Sequence, residues 1–377
     1  MKKVRLSSIA MVKAGGTPSR SNLSYWNGDI PWVKISDIQG KHVQTYEETI
    51  TEEGLKNSSA KLFSKGTILY TIFATLGRVG ILDFDATTNQ AIAGINILDE
   101  TIDCDYLYYF LRSQEKKVKA IGKGVAQQNI NLKILRDWLV PIRSKEEQTN
   151  IAGSLEKIEG AISAKNELLN SFDSLVKSRF MEMFTNVDKR KLSEMAEIIM
   201  GQSPDSKSYN ESGNGVPFFQ GKGDFGEKYT KIGHWTTSPT KTAKLNDVLM
   251  SVRAPVGPVN IASTDCCIGR GLCAIRAENG LTNSEFLYNA LKVMEPEIAL
   301  MGNGSTFKAI NKKDVYSLLI PVASTQSQES FSKFASLIDK SRFVVHSRYF
   351  LWLNFTFVSS TIAYSRVVSI LECPKRC

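Results

Sequence analysis

The chain writes one long pattern twice, so it can only adopt a fold assembled from two copies of one unit. The stretch GNGSTFKAINKKDVYSLLIPV at 302–322 repeats GKGVAQQNINLKILRDWLVPI at 122–142, 180 positions earlier. The likeness reaches back to the start of each copy. LSSIAMVKAGGTP (6–18) matches LSEMAEIIMGQSP (192–204), and Ile30, Pro31, Trp32 and Val33 face Val216, Pro217, Phe218 and Phe219, both at an offset of 186. From GTILYTIFATLGRVGI (66–81) against NDVLMSVRAPVGPVNI (246–261) the offset is 180, and NQAIAGI (89–95) lies opposite GRGLCAI (269–275). Each copy occupies about 140 residues, the size of one ordinary core, which predicts domains over 1–142 and 186–322.

Between the copies the pattern changes period. Ile151, Leu155, Ile158, Ile162, Leu169, Phe172, Val176 and Met183 fall on steps of four and three, interrupted by Lys165 and Arg179. That seam predicts a long amphipathic helix with coiled-coil periodicity over 143–185. Pro141 precedes it, and Ser144 with Glu147 has the spacing of a capping box. At about 1.5 Å per residue, 151–183 would run roughly 50 Å.

The second copy begins a helix the same way. Pro321, Ser324, Gln328, Phe331, Ala335, Ile338 and Asp339 take the places of Pro141, Ser144, Gln148, Ile151, Leu155, Ile158 and Glu159. After about Arg342 the match stops: 164–184 hold six charged side chains, 344–364 only Arg348. The expectation is a helix start over 323–342 and an atypical tail over 343–377, with a frameshift or recombination junction near Arg342. A tail of that composition is not expected to build a solvent-facing helix surface.

Inside the copies, KGTILYTI and DVLMSV read as buried strands, and CDYLYYFLRS (104–113) and SEFLYNALKV (284–293) as equivalent helices. The fold class is therefore α+β: two homologous mixed α/β domains separated by long coiled-coil-like helices.

Chemistry is constrained by what the copies share. They have no common ionisable triad, and the chain lacks GxxxxGK[ST], HExxH and GxSxG and has no GxGxxG opening a βαβ unit, so no catalytic residue is expected. Six cysteines without CxxC spacing, and His42, His234 and His346 scattered far from them, predict no metal site and a reducing cytoplasm. The start MKKVRLSSIAMVKAGG is too short and serine-broken for a leader, and the uncharged run at 349–365 sits at the lower length limit of a spanning helix. An excess of 47 Lys and Arg over 38 Asp and Glu leaves a net charge of +9, which favours a polyanionic partner.

Candidate contacts with such a partner lie at loop tips. GKGVAQQN (122–129) and GNGSTFKA (302–309) pair two glycines with a polar or cationic end, including Lys123, Gln128 and Lys308, a composition that admits backbone amides to phosphate. A plain loop before a strand explains the glycines equally. Lys116, Lys117 and Lys119 extend the first loop into a basic run that could also be a solvated helix face. Lys34 and Ser36 follow IPWV, and Lys222 and Asp224 follow VPFF. Arg78, Arg253 and Arg270 are further tip cations, with Gln90 opposite Arg270. Arginine reads guanine bidentately and glutamine adenine. An internal ion pair is the alternative for each arginine.

The ordered set of IPWVKISDI, SVRAPVG, GRGL, the two Ile-Asn pairs (Ile130 and Asn131, Ile310 and Asn311) and both Pro-Ser-Gln helix starts resembles the specificity subunit of type I restriction-modification systems, over residues 1 to about 342. The resemblance implies two target-recognition domains, each reading half of a split double-stranded DNA sequence, with the helices setting the gap. It implies no catalysis in this chain and no cofactor bound directly. Two methyltransferase subunits that use S-adenosylmethionine, and restriction (nuclease-translocase) subunits, would be the partners, with no membrane involved. A silent variant with an aberrant C-terminus, the recognition region of a DNA-modifying enzyme, and a scaffold that binds only protein are the competing readings.

Overall fold

The computed structural model describes residues 2–115, 118, 130–278, 280–302 and 309–358, with side chains through Ser347. The chain divides into two compact units between Ala164 and Lys165, inside the first long helix.

The first unit is built on a five-stranded sheet in the order Ala10–Ala14, Ile92–Ile97, Ile68–Thr71, Val79–Leu82, His42–Val43, antiparallel except for the last pair. Beside it lies a three-stranded sheet of Glu48–Ile50, Trp26–Val33 and Thr87–Thr88. The continuous apolar run of Ile68, Leu69 and Tyr70 reflects burial on both faces. Ile68 and Tyr70 join the cluster containing Leu107 and Leu111 of the Cys104–Ser113 helix, whereas Leu69 points to the opposite cluster with Val33 and Phe63.

The second unit repeats the plan. Ala196–Met200, Leu272–Ala277, Val248–Ser251 and Val259–Ile261 form its main sheet. Val248 and Met250 face the cluster that contains Phe286 and Leu287 of the Ser284–Met301 helix, and Leu249 faces the other side with Phe219. The helices expected over 104–113 and from 284 are both present.

The twin stretches have a common structural task. Leu139–Pro141 pairs with Lys3–Arg5, placing Lys3 opposite Pro141. Leu319–Pro321 pairs with Lys189–Lys191, placing Lys189 opposite Pro321. Each copy thus closes by hydrogen-bonding its end to its own beginning.

The first long helix spans Lys145–Phe184. Its capping box is complete: the Ser144 N–H donates to Glu147 Oε2 and the Glu147 N–H donates to Ser144 Oγ, each at 3.2 Å. Among the seam residues Ile158 is buried, whereas Ile151, Leu155, Ile162, Leu169, Phe172 and Val176 are half-buried. Periodicity located the stripe but not all of its anchors. Ala152 enters the first unit's core, and Phe180 and Phe184 enter the second's.

The second long helix corrects the expectation for the tail. It spans Thr325–Val358 and does not stop near Arg342. Backbone hydrogen bonding sustains a helix locally, and β-branched and aromatic residues lower its propensity by only about 0.7 kcal/mol each at most. Within the second unit this helix packs against the first long helix. Phe331 packs on Phe180 and Phe184, with ring centroids 5.3 and 5.7 Å apart, and Arg342 donates to Asp173 at 2.6 Å. Phe343, just beyond, is 73% exposed, so the helix does carry apolar side chains into solvent.

Candidate nucleic-acid interface

Four turns converge on one end of each main sheet, held by backbone bonds that the two copies make at equivalent positions. Gly15 N–H donates to the Ile92 carbonyl at 2.9 Å, and Gly201 does so to Leu272 at 2.9 Å. Gly16 bonds Thr88 at 2.8 Å as Gln202 bonds Ile268 at 2.9 Å, and Asn89 bonds Val33 at 3.2 Å as Gly269 bonds Phe219 at 2.8 Å. Ile72 bonds Ala91 at 2.8 Å as Val252 bonds Gly271 at 2.9 Å. A fifth pair, Ile130 to Ile72 and Ile310 to Val252, both at 3.0 Å, returns the chain to this end. The first glycine is sterically required: a Cβ on Gly15 would lie 2.1 Å from Thr88 Oγ1, and one on Gly201 2.1 Å from the Gly269 carbonyl.

The next turn is also built alike in both copies. Asp37 Oδ2 accepts the Lys34 N–H at 2.8 Å, and Asp224 Oδ2 accepts those of Gln220 and Gly221 at 2.6 and 3.2 Å. Asp224, a candidate contact, is therefore a turn-forming residue in this geometry.

On this shared frame the side chains differ. In the first unit the Lys34 ammonium sits 2.6 Å from Glu47 and 2.9 Å from Glu48, and hydrogen bonds to these two carboxylates raise its pKa above the ordinary lysine value. Arg20 also pairs with Glu48, holding that carboxyl below its usual range, and stacks over Trp26 at 3.7 Å and Trp32 at 4.9 Å. Arg78 donates to the carbonyls of Ile35 and Ile38 at 3.0 and 3.3 Å, tying its own turn to the 34–37 turn. Ser36 is exposed, with its hydroxyl 3.3 Å from Asp37 Oδ1. Gln90 is exposed too, and its carbonyl accepts the Thr17 hydroxyl.

In the second unit the cations at this end are exposed. Lys222, Arg253 and Arg270 are exposed, and their side chains make no hydrogen bond or ion pair among the described residues. The Arg270 N–H is held by Ser203 Oγ at 3.3 Å, so Ser203 supports the turn of Arg270 where Thr17 meets Gln90. Lys116, Lys117, Lys119, Lys123, Gln128 and Lys308 lie outside the described residues.

The structure thus brings together Lys34, Ser36, Arg78 and Gln90 at one sheet end, and Lys222, Arg253 and Arg270 at the other unit's equivalent end. Arg20 belongs to the first group and was missed. Its counterpart by the repeat is Ser206, so comparing the copies carried no signal for it. Among the described residues no helix is long and apolar enough to cross a membrane, and no cluster of three or more His, Cys, Asp or Glu side chains could hold a metal ion.

Comparison with known proteins agrees with this duplicated arrangement. The family model described as the type I restriction modification DNA specificity domain matches twice, over 1–171 and 185–343. The chain is 34% identical over 293 residues to the MjaX type I restriction enzyme specificity subunit of Methanocaldococcus jannaschii, covering 70% of this chain and 68% of that one. A chain from a solved structure of type I R-M system assembly and conformational transition superposes with a TM-score of 0.60 at 26% identity, covering 94% of both chains. The type I S subunit of M. genitalium, 18% identical, shares the fold with a TM-score of 0.57 over 95% of this chain and 94% of that one. Two matched copies, spanning nearly everything before Val344, show that the chain belongs to the family of type I restriction-modification specificity subunits.

Proposed function

We propose that each unit reads one half of a bipartite double-stranded DNA target with the turns at its sheet end, and that the chain performs no chemical step itself. The observation that carries this reading is the set of five repeated backbone bonds beneath unlike side chains: one frame, with Gln90 in one copy and Arg270 in the other. A common frame sets a common approach to the duplex, and different polar tips then select different bases. The net charge of +9 fits a polyanion.

On this reading the chain works in the cytoplasm with two modification subunits, which supply methyl transfer from S-adenosylmethionine, and with restriction subunits for cleavage. No S-adenosylmethionine site is assigned to this chain. The test is to produce it with the modification subunit encoded beside it and to map methylated adenines across a genome. A split motif with a fixed gap is expected. An assembled complex that methylates without any such motif would refute the reading.

A further inference from the structure

Each unit contains a lysine that joins three elements, and the two lysines occupy equivalent places. Lys41 Nζ lies 3.1 Å from Asp105 on the Cys104–Ser113 helix and 2.8 Å from Glu156 on the first long helix. Lys228 Nζ lies 2.8 Å from Glu285 on the Ser284–Met301 helix and also pairs with Asp339 on the second long helix. The residues that follow them confirm the equivalence: His42 pairs in parallel with Ile81, and Tyr229 with Ile261.

Asp105 and Glu285 correspond by the repeat, but the long-helix acids do not. Glu156 corresponds to Ser336, and Asp339 to Glu159. The second unit therefore makes the same three-way joint with an acid one helical turn further along. Retaining the joint while changing the acid that accepts from the lysine marks it as a feature of the assembly and not of one inherited pair. The lysines are well enclosed, with side chains 13% and 17% exposed. Burial opposes their charge, yet the paired carboxylates outweigh it and keep both pKa values above that of free lysine.

Resting on the proposed function, we infer that Lys41 and Lys228 are positioning residues that hold each recognition domain at one angle on its long helix, so that they set how strictly the DNA gap length is read. A lysine meeting carboxylates from a domain helix and a long helix resists rotation of one against the other. Loss of that restraint lets the half-site readers reach duplexes with altered separation, because linked binding depends on matching the span.

The experiment uses the complex with its modification subunits and duplexes carrying the mapped half-sites at the native gap, or at one base pair less or more. Methyl transfer is measured on each. Wild type is expected to disfavour the altered gaps by about tenfold or more, and the double variant Lys41→Met, Lys228→Met to reduce that preference to about threefold while keeping its rate on the native gap. Lys41→Arg with Lys228→Arg should restore the preference. Unchanged gap preference in the methionine variant would overturn the inference and leave the joint a stabilising contact only. If the methionine variant fails to fold, as read by circular dichroism, Asp105→Asn with Glu285→Gln decides between the same two outcomes. A wild-type complex that methylates no split target would instead fail the functional reading, which separates the two failures.

Discussion

The side-chain carbonyl of Gln148 accepts the backbone N–H of Asp103 at 2.9 Å. Its amide donates to the carbonyls of Thr101 and Arg143 at 2.9 and 3.0 Å, and the side chain is fully buried. Gln328 reproduces the arrangement with the Asn283 N–H and the Leu281 and Ala323 carbonyls. The glutamine that recurs at each helix start therefore satisfies the turn preceding a domain helix and the turn preceding a long helix at once. Gln148→Leu removes the side-chain partner of three part-buried backbone groups and is expected to cost about 1–3 kcal/mol. Urea unfolding would check it; a change below about 0.5 kcal/mol would contradict this account.

Phe180 is the other kind of anchor. It meets Phe184, Phe286 and Phe331 at centroid distances of 5.0, 5.5 and 5.3 Å. Phe180→Ala should destabilise the second unit by about 3–5 kcal/mol, whereas Leu168→Ala, at a side chain 42% exposed on the same helix, should cost under about 1 kcal/mol. Comparing the two variants by thermal unfolding tests whether the long helix is held by its core anchors or by apolar side chains anywhere along it.

Arg270 and Lys222 are predicted to differ in what they contribute to DNA binding. Replacing Arg270 with Ala should weaken discrimination at one position of a single half-site by about 1–3 kcal/mol, seen as a relaxed base in the methylation map. Lys222→Ala should weaken binding to all sequences and lower the salt dependence by about one counterion. The opposite pattern would exchange their roles.

The lysine joint of the first unit has a defined pH window. Its hydrogen bond to Lys41 lowers the Glu156 pKa from the ordinary 4.5, so this contribution is present above pH 4.5 and is lost as pH falls through the lowered value. Burial lowers the Lys41 pKa, but Glu156 and Asp105 together raise it above 10.5, so the contribution is full below 10.5 and is lost as pH rises through the raised value. The stability difference between wild type and Lys41→Met should therefore be flat between these limits and shrink outside them, as measured by unfolding across the pH range.

Burial pushes the Cys266 and Cys273 thiols up to about 12, which keeps both protonated near pH 8. They should resist alkylation in the native protein and react after denaturation. Peptide mapping of the labelled cysteines would check this; native labelling of Cys273 would show that the second unit opens readily.

Features that depend on neighbours along the chain were legible in the sequence. The duplication, the start of each long helix and the apolar seam all follow from spacing, because capping and helical period act over a few residues. Lys34 and Lys222 look alike in sequence, each following a proline and an apolar-aromatic stretch (IPWV and VPFF). Only the tertiary structure distinguishes them: Glu47 and Glu48 reach Lys34 across a neighbouring strand, whereas Lys222 has no such partner among the described residues. The extension of the second helix to Val358 was likewise obscured by its composition. Lys41 and Glu156 are 115 residues apart, as Lys228 and Asp339 are 111 apart. No local pattern records such pairs, because a charge finds its partner only after the sheet and the helices have brought distant segments together, and that decides which cations brace the fold and which remain exposed.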